Sequence, residues 1–280
     1  MTERKPYWLK TERLLHSSVM KTKKIINSYG LKTVCQEAAC PNRAECWQNK
    51  SFTFILLGSN CTRTCPFCNI TALQPQPVDP KEPERIAGFV SDMELNHLVL
   101  TSVTRDDLSD GGANHFIKTL KMIRSVKPDL SVELLVPDFG DFSLIDKVID
   151  QRPNILGFNI ETVQRLYPVA RPQYSYTHGL NILAHAKEYN PNLLVKTAFM
   201  LGLGENDDEI KQTIQDIKQT NCDILYIGQY MAPSKKHHPV SKYYHPDTFM
   251  EFQEFARSIG FLKVVAGPLV RSSYRSWESL

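Results

Sequence analysis

The chain has no apolar run near the about 20 residues needed to cross a bilayer. Its N-terminal stretch also lacks the apolar core of a secretory signal. A cytoplasmic protein with no membrane partner is therefore the expectation. No G-x-G-x-x-G turn follows the first apolar strand, and no G-x-x-x-x-G-K-[ST] loop occurs anywhere, so neither common nucleotide site is supported. Net charge is scarce: 33 Lys and Arg against 30 Asp and Glu leave +3 on 280 residues. That is too little for a nucleic-acid partner gripped by the whole surface. Cysteine is absent from most of the chain, and of seven only Cys222 lies outside residues 35–68. Beside Asp223-Ile-Leu-Tyr226, Cys222 reads as a buried, inert thiol.

What charge there is sits unevenly. Residues 1–32 carry eight Lys and Arg against Glu3 and Glu12, which leaves the remainder slightly acidic. Such an arm is either a solvated face or a docking surface for an acidic protein. His237-His238, in a Lys-rich, Pro-flanked stretch, reads as a surface loop away from the cysteines rather than as a metal pair.

The cysteines form two triplets, Cys35-x₄-Cys40-x₅-Cys46 and Cys61-x₃-Cys65-x₂-Cys68. Clustered thiols in a reducing compartment are more often metal ligands or catalytic groups than disulfides. Structural zinc takes four ligands in matched pairs, and only Cys65 and Cys68 resemble half of such a site. Soft thiolates in a short loop also suit iron–sulfur clusters. Three cysteines on a four-iron cluster leave one iron able to bind a substrate or cofactor.

Hydrophobic periodicity alternates strands and helices. Strands are predicted at 51–58, 97–103, 132–136, 154–160, 193–199, 224–227 and 261–265; helices at 82–95, 113–126, 142–149, 176–188, 207–219 and 247–258. Alternation implies a mostly parallel sheet with right-handed crossovers. The expected fold class is α/β, a partial (β/α)6 TIM-like barrel with its chemistry at the C-terminal strand ends. N- and C-terminal extensions are expected to carry an auxiliary iron–sulfur cluster, with the chain divided as 1–50, 51–260 and 261–280. Polar groups follow the strands: Thr104-Arg105-Asp106-Asp107, Glu161-Thr162, Gly202-Leu-Gly-Glu205 and Gln229-Tyr230.

The second triplet, with aromatic Phe67 before its last cysteine, resembles the motif of radical S-adenosylmethionine (SAM) enzymes. The first, in Thr33-Val-Cys-Gln-Glu-Ala-Ala-Cys-Pro-Asn-Arg-Ala-Glu-Cys-Trp47, resembles the auxiliary-cluster motif of lipoyl synthases. So do Arg271-Ser-Ser-Tyr274, Thr101-Ser-Val-x-Arg-Asp-Asp-Leu-x-Asp-Gly-Gly-Ala113, Asn159-x-Glu-Thr-Val-x-Arg-Leu166 and Ile227-Gly-Gln-Tyr230. Biotin synthases and methylthiotransferases, the nearest chemical alternatives, do not share the N-terminal triplet. A non-catalytic cluster carrier is the alternative of another class.

The resemblance implies insertion of two sulfur atoms at C6 and C8 of a protein-bound octanoyl chain. It implies two 4Fe–4S clusters and SAM as cofactors. Cys61, Cys65 and Cys68 would hold the SAM-cleaving cluster. Cys35, Cys40, Cys46 and a serine, Ser273 ahead of Ser272, would hold the cluster that donates sulfur. Phe67, Arg105, Asn159, Glu161 and Arg171 are the implied cofactor contacts, with Gly202 and Gly204 letting backbone approach the adenine. Implied partners are an octanoylated lipoyl carrier domain (a 2-oxoacid dehydrogenase E2 component or a glycine-cleavage H protein), a ferredoxin- or flavodoxin-type electron donor and a cluster carrier. The basic arm is the expected carrier dock.

Overall fold

The structure, a computed structural model, describes residues 4–10 and 16–279. Glu3, Glu12 and Arg13 of the basic arm lie outside them. In chain order come α1 (His16–Ser28), α2 (Val34–Glu37), α3 (Arg43–Gln48), β1 (Ser51–Leu56), β2 (Asn60–Cys61), β3 (Thr71–Ala72), α4 (Glu82–Asp92), β4 (His97–Ser102) and α5 (Ala113–Val126). There follow β5 (Ser131–Leu135), α6 (Phe142–Ile149), β6 (Ile155–Gly157), α7 (Tyr167–Ala170), α8 (Tyr176–Tyr189), β7 (Leu194–Leu201), α9 (Asp207–Gln219), β8 (Ile224–Gln229), α10 (Pro246–Ser258) and β9 (Lys263–Gly267).

Seven strands form one sheet in the order β1-β4-β5-β6-β7-β8-β9. The registers are parallel: Phe54 lies opposite Leu100, Leu100 opposite Leu134, Phe199 opposite Ile227, and Ile227 opposite Ala266. This is the α/β class that the alternating pattern implies. Every residue of β1 and of β8 is buried, as strands covered on both faces must be, which is why they read as unbroken apolar runs.

Contacts divide the chain into two compact units, and each has its own core. One contains residues 13–63, 70–156 and 275–280. Its centre is an aromatic cluster in which Phe89 of α4 meets Phe52 and Phe54 of β1 edge-on, at 5.3 and 5.1 Å. The other contains residues 1–12, 64–69 and 157–274, with Phe199, Tyr226 and Phe249 all at 1% exposure or less. Its helix α9 begins where the sequence predicts. Asn206 and Glu209 form a reciprocal capping box there, satisfying two backbone N–H groups the helix leaves open.

One strand is shorter than predicted. The apolar run 154–160 pairs as a strand only over Ile155–Gly157; beyond it Phe158 N–H still bonds Lys196 O at 3.1 Å, but side chains take over the other backbone groups up to Ile160. The Thr197 hydroxyl donates to Phe158 O and accepts from Ile160 N–H, at 2.7 and 3.2 Å. Tyr167 and Arg171 donate to the carbonyls of Ile160 and Asn159, at 2.6 and 2.7 Å. The short parallel pair β2–β3, which places Cys61 opposite Ala72, carries no periodic signal and was not predicted.

Candidate functional site

The cysteine loop departs from β1 through Leu57, whose φ of +67° is unusual for a branched side chain. Two buried charges hold it there. The Glu82 carboxylate accepts from Leu57 N–H at 2.8 Å and lies 2.7 Å from His115 Nε2. Arg105, 2% exposed, donates to Leu57 O at 3.2 Å and grips the Asp107 carboxylate through two 2.8 Å bonds. Gly112 makes room for the turn: a Cβ there would lie 2.2 Å from Leu57 Cδ1. Arg105 thus shapes the entry to the loop.

Past Cys61, Arg63 turns back onto the ends of β4 and β5. Its guanidinium donates to Asp106 (2.7–3.2 Å) and to Asp138 (2.7 and 3.1 Å). The arginine and Asp138 side chains are only 11% and 10% exposed. Arg63 N–H also points at Cys61 Sγ, at 3.4 Å, and the Thr62 hydroxyl donates to Asp106 at 2.7 Å. Arg63 and Asp138 were missed in sequence. The arginine's place inside a cysteine motif was the only available signal, and its acidic partners are 43 and 75 residues away.

The other half of the loop is pinned separately. Thr64 N–H donates to Gln173 Oε1 at 2.6 Å, a 2.9 Å bond from Cys68 N–H to Cys65 O closes a turn, and Phe67 within it is half-buried. His238 N–H donates to Pro66 O at 2.9 Å. This corrects the sequence expectation for His237-His238, since the backbone of that loop abuts the residue beside Cys65. The rings serve the loop itself: His238 Nδ1 lies 2.9 Å from Pro239 O, and His237 Nδ1 lies 2.9 Å from Ser234 Oγ.

Three of the implied cofactor contacts form one cluster. Asn159 Nδ2 donates to Glu161 Oε1 at 3.0 Å, while Arg171 donates to Asn159 O. Glu161 has φ +68°, a conformation that costs about 1–3 kcal/mol and persists only where surroundings impose it. Here the imposing bonds are Glu161 N–H to Ala198 O and Met200 N–H to Glu161 O, at 3.0 and 2.9 Å. Burial raises the Glu161 pKa against the opposing pull of Arg171 and Asn159. Arg171 stacks on Tyr174 at 3.7 Å, and among the described residues its buried Nε has no hydrogen-bond partner. Burial works against its charge, but Tyr167, Glu161, Tyr174 and Cys65 more than offset this and raise its pKa. Gly202 has no room for a side chain. Its open side is filled by the Gln229 amide and the Lys242 carbonyl, which would lie 2.2 and 2.7 Å from a Cβ.

The first triplet gathers near the start of the chain. Thr33 caps α2, which carries Cys35; the Cys40 N–H bonds Cys35 O at 3.1 Å; and Cys46 lies in α3. Burial first, then the nearby Cys40, pushes the Cys35 thiol up to about 12. Cys46 is pushed to about 12 by burial, then by Cys35 and Cys40, while the backbone N–H of Arg275 opposes the rise. Three soft donors in mutual electrostatic contact, two of them buried, fit a metal cluster whose positive charge replaces three protons. Among the described residues, no group of three His, Cys, Asp or Glu is set to hold a single metal ion.

The C-terminal segment is held at both ends of its Arg-Ser-Ser-Tyr run. Val270 O crosses β8 where a Cβ on Gly228 would lie 2.2 Å away. Beyond the run, Arg275 pairs with Glu45 at 2.7 Å, and the buried Ser276 hydroxyl donates to Glu133 of β5. Ser272 and Ser273 between them are half-buried.

Residues 55–217 match the Radical SAM superfamily, which implies a 4Fe–4S cluster and SAM. The fold is similar to that of methylornithine synthase, with a TM-score of 0.57 at 13% identity over 91% of this chain and 83% of that one. The chain is 45% identical to the lipoyl synthase of Caldicellulosiruptor saccharolyticus, covering 100% of this chain and 98% of the relative. It is 46% identical to that of Rubrobacter xylanophilus, over 98% and 86%. With both cysteine triplets in place along that full-length similarity, the chain belongs to the lipoyl synthase family of the radical SAM superfamily.

Proposed function

We propose that Cys61, Cys65 and Cys68 hold the SAM-binding cluster and that Cys35, Cys40, Cys46 and Ser273 hold a second, sulfur-donating cluster. Together they serve the insertion of two sulfur atoms at C6 and C8 of an octanoyl chain on a carrier protein. The observation that carries this reading is the Arg275 backbone N–H at the Cys46 thiol. It ties the residue two positions past Ser273 to the first triplet, so a fourth, oxygen ligand is within reach along the chain. An alkoxide is a harder and weaker ligand for iron than a thiolate, which suits a cluster that must come apart. When bound, the first cluster would pass one electron to each of two SAM molecules, giving one 5′-deoxyadenosyl radical per sulfur inserted, and the second cluster would supply the sulfur.

The chain's own residues position these parts. Arg171 and Glu161 present a buried cation and a half-buried carboxylate for the carboxylate and the amino or ribose groups of SAM, with Arg171 Nε a donor that has no acceptor among the described residues. Asn159 holds the two together. Arg105 acts through Leu57, shaping the cysteine loop. Segments 1–50 and 261–280 serve the second cluster, and 51–260 is the catalytic part. A ferredoxin- or flavodoxin-type donor supplies electrons, and a cluster carrier rebuilds the spent site, both in the cytoplasm. Among the described residues no helix is long and apolar enough to cross a membrane.

The test is reconstituted protein given SAM, reductant and an octanoyl-lysyl peptide. The expected products are 5′-deoxyadenosine and a dithiolane. Absence of 5′-deoxyadenosine refutes the enzyme, and its formation without dithiolane refutes the substrate.

A further inference from the structure

We propose that segment 4–10 and loop 233–245 form one basic docking face for an octanoylated carrier domain that presents acidic residues around its modified lysine. The proposal rests on the reading of the 61–68 loop as the reaction centre. Sequence pointed only to the N-terminal arm as a dock. The structure joins part of that arm to a second basic element more than 200 residues away and sets that element against the cysteine loop.

Between Asp223 and Asp247 the chain has no acidic residue, but it has Lys235, Lys236, Lys242, His237, His238 and His245. The loop follows β8, whose C-terminal end faces the chemistry in this class of fold, and its backbone is fixed. Tyr230 donates to His238 O at 2.6 Å, Ser241 N–H to Gly202 O at 2.8 Å, and Gln229 Nε2 to Lys242 O at 3.0 Å. The bond from His238 to Pro66 sets it beside Cys65. On this framework Lys235, Lys236 and Lys242 are exposed.

The N-terminal segment meets the same loop. Leu9 is buried at 1% exposure, and Trp8 packs edge-on against His245 at 5.0 Å. That anchorage leaves Arg4, Lys5 and Lys10 exposed, and it leaves Tyr7, packed on Trp8, 74% exposed. Six exposed cations thus lie on two distant stretches that meet at the Trp8–His245 contact, and one of those stretches abuts the cysteine loop. Exposed like charges steer an oppositely charged protein, and an accessible tyrosine is a common anchor at such interfaces; Lys242 is in addition held over the Tyr244 ring at 4.3 Å.

The experiment measures binding of the cluster-loaded enzyme to the octanoylated carrier domain across a salt series. For the variant Lys235→Glu/Lys236→Glu/Lys242→Glu, Kd should rise about tenfold or more, chiefly through slower association, with a flatter salt dependence. Carbodiimide coupling of the wild-type complex should join Lys235 or Lys236 to carrier carboxylates. A Kd changed by less than about twofold, an equal loss in the control Lys211→Glu on α9, or displacement of the carrier by duplex DNA would overturn the proposal. Formation of 5′-deoxyadenosine from a free octanoyl-lysyl peptide by the wild-type enzyme is followed in parallel. Its absence sinks the functional reading and this dock with it, whereas its presence beside unchanged Kd values sinks the dock alone.

Discussion

Replacing Arg63 by alanine tests whether the cysteine loop is held from outside the cysteines. Arg63 bridges Asp106 and Asp138, and the two carboxylates differ in surroundings: Asp106 is 47% exposed and Asp138 10%. An exposed pair contributes at most about 1 kcal/mol, whereas a buried carboxylate stripped of its cation costs about 3–5 kcal/mol. With Asp138 close to but not fully buried, Arg63→Ala should lose about 3 kcal/mol. For a chain of this length that lowers Tm by about 6 °C. Because most of the loss is a stranded charge, adding Asp138→Asn should restore about half of it or more. Anaerobic thermal melts of wild type, both single variants and the double give the cycle. The iron content retained after exposure to a chelator reports whether the loop has loosened. An unchanged Tm in the single variant, or a double variant that loses the sum of the two singles, would refute the reasoning.

The remaining expectations concern the two proposed sites. Gly228→Ala puts a Cβ within 2.2 Å of Val270 O and must shift the chain three residues before Ser273. Dithiolane formation should fall about tenfold or more with SAM cleavage retained, each product being measured separately; wild-type dithiolane yield would count against that close approach. Ser273→Ala should keep 5′-deoxyadenosine formation and lose sulfur transfer while Ser272→Ala keeps both. The reverse pattern assigns the ligand to Ser272. Arg171→Lys removes the bond to Asn159 O and the stacking on Tyr174, and lysine does not reproduce a planar fork. SAM affinity, measured by equilibrium binding, should fall about tenfold, and unchanged affinity would remove Arg171 from the SAM site.

Much of the fold was legible because its signals are local. Ala113–Val126 and Asp207–Gln219 announce themselves by apolar spacing and end residues, and β1 and β8 by uninterrupted apolar runs. Signals failed where a residue's conformation depends on distant atoms. Past Gly157 the predicted strand 154–160 takes side-chain bonds from Thr197, Tyr167 and Arg171, and backbone bonds with Ala198 and Met200 hold Glu161 at positive φ. The Cβ side of Gly202 is filled by Gln229 and Lys242, residues 27 and 40 positions further along the chain. Neither outcome leaves a trace in spacing.

The sequence alone determined the two cysteine triplets and the alternation of strands and helices, since ligand spacing and periodicity are properties of neighbouring residues. Only the tertiary structure decided what surrounds them. Leu57 is held in its turn by Glu82 and Arg105, Arg63 is clasped by Asp106 and Asp138, and Arg275 is brought to Cys46. Loop 233–245 is set against Pro66. Pairings across 25 to 230 residues form only when the sheet brings those segments together, and no one-dimensional pattern specifies which carboxylate an arginine will meet.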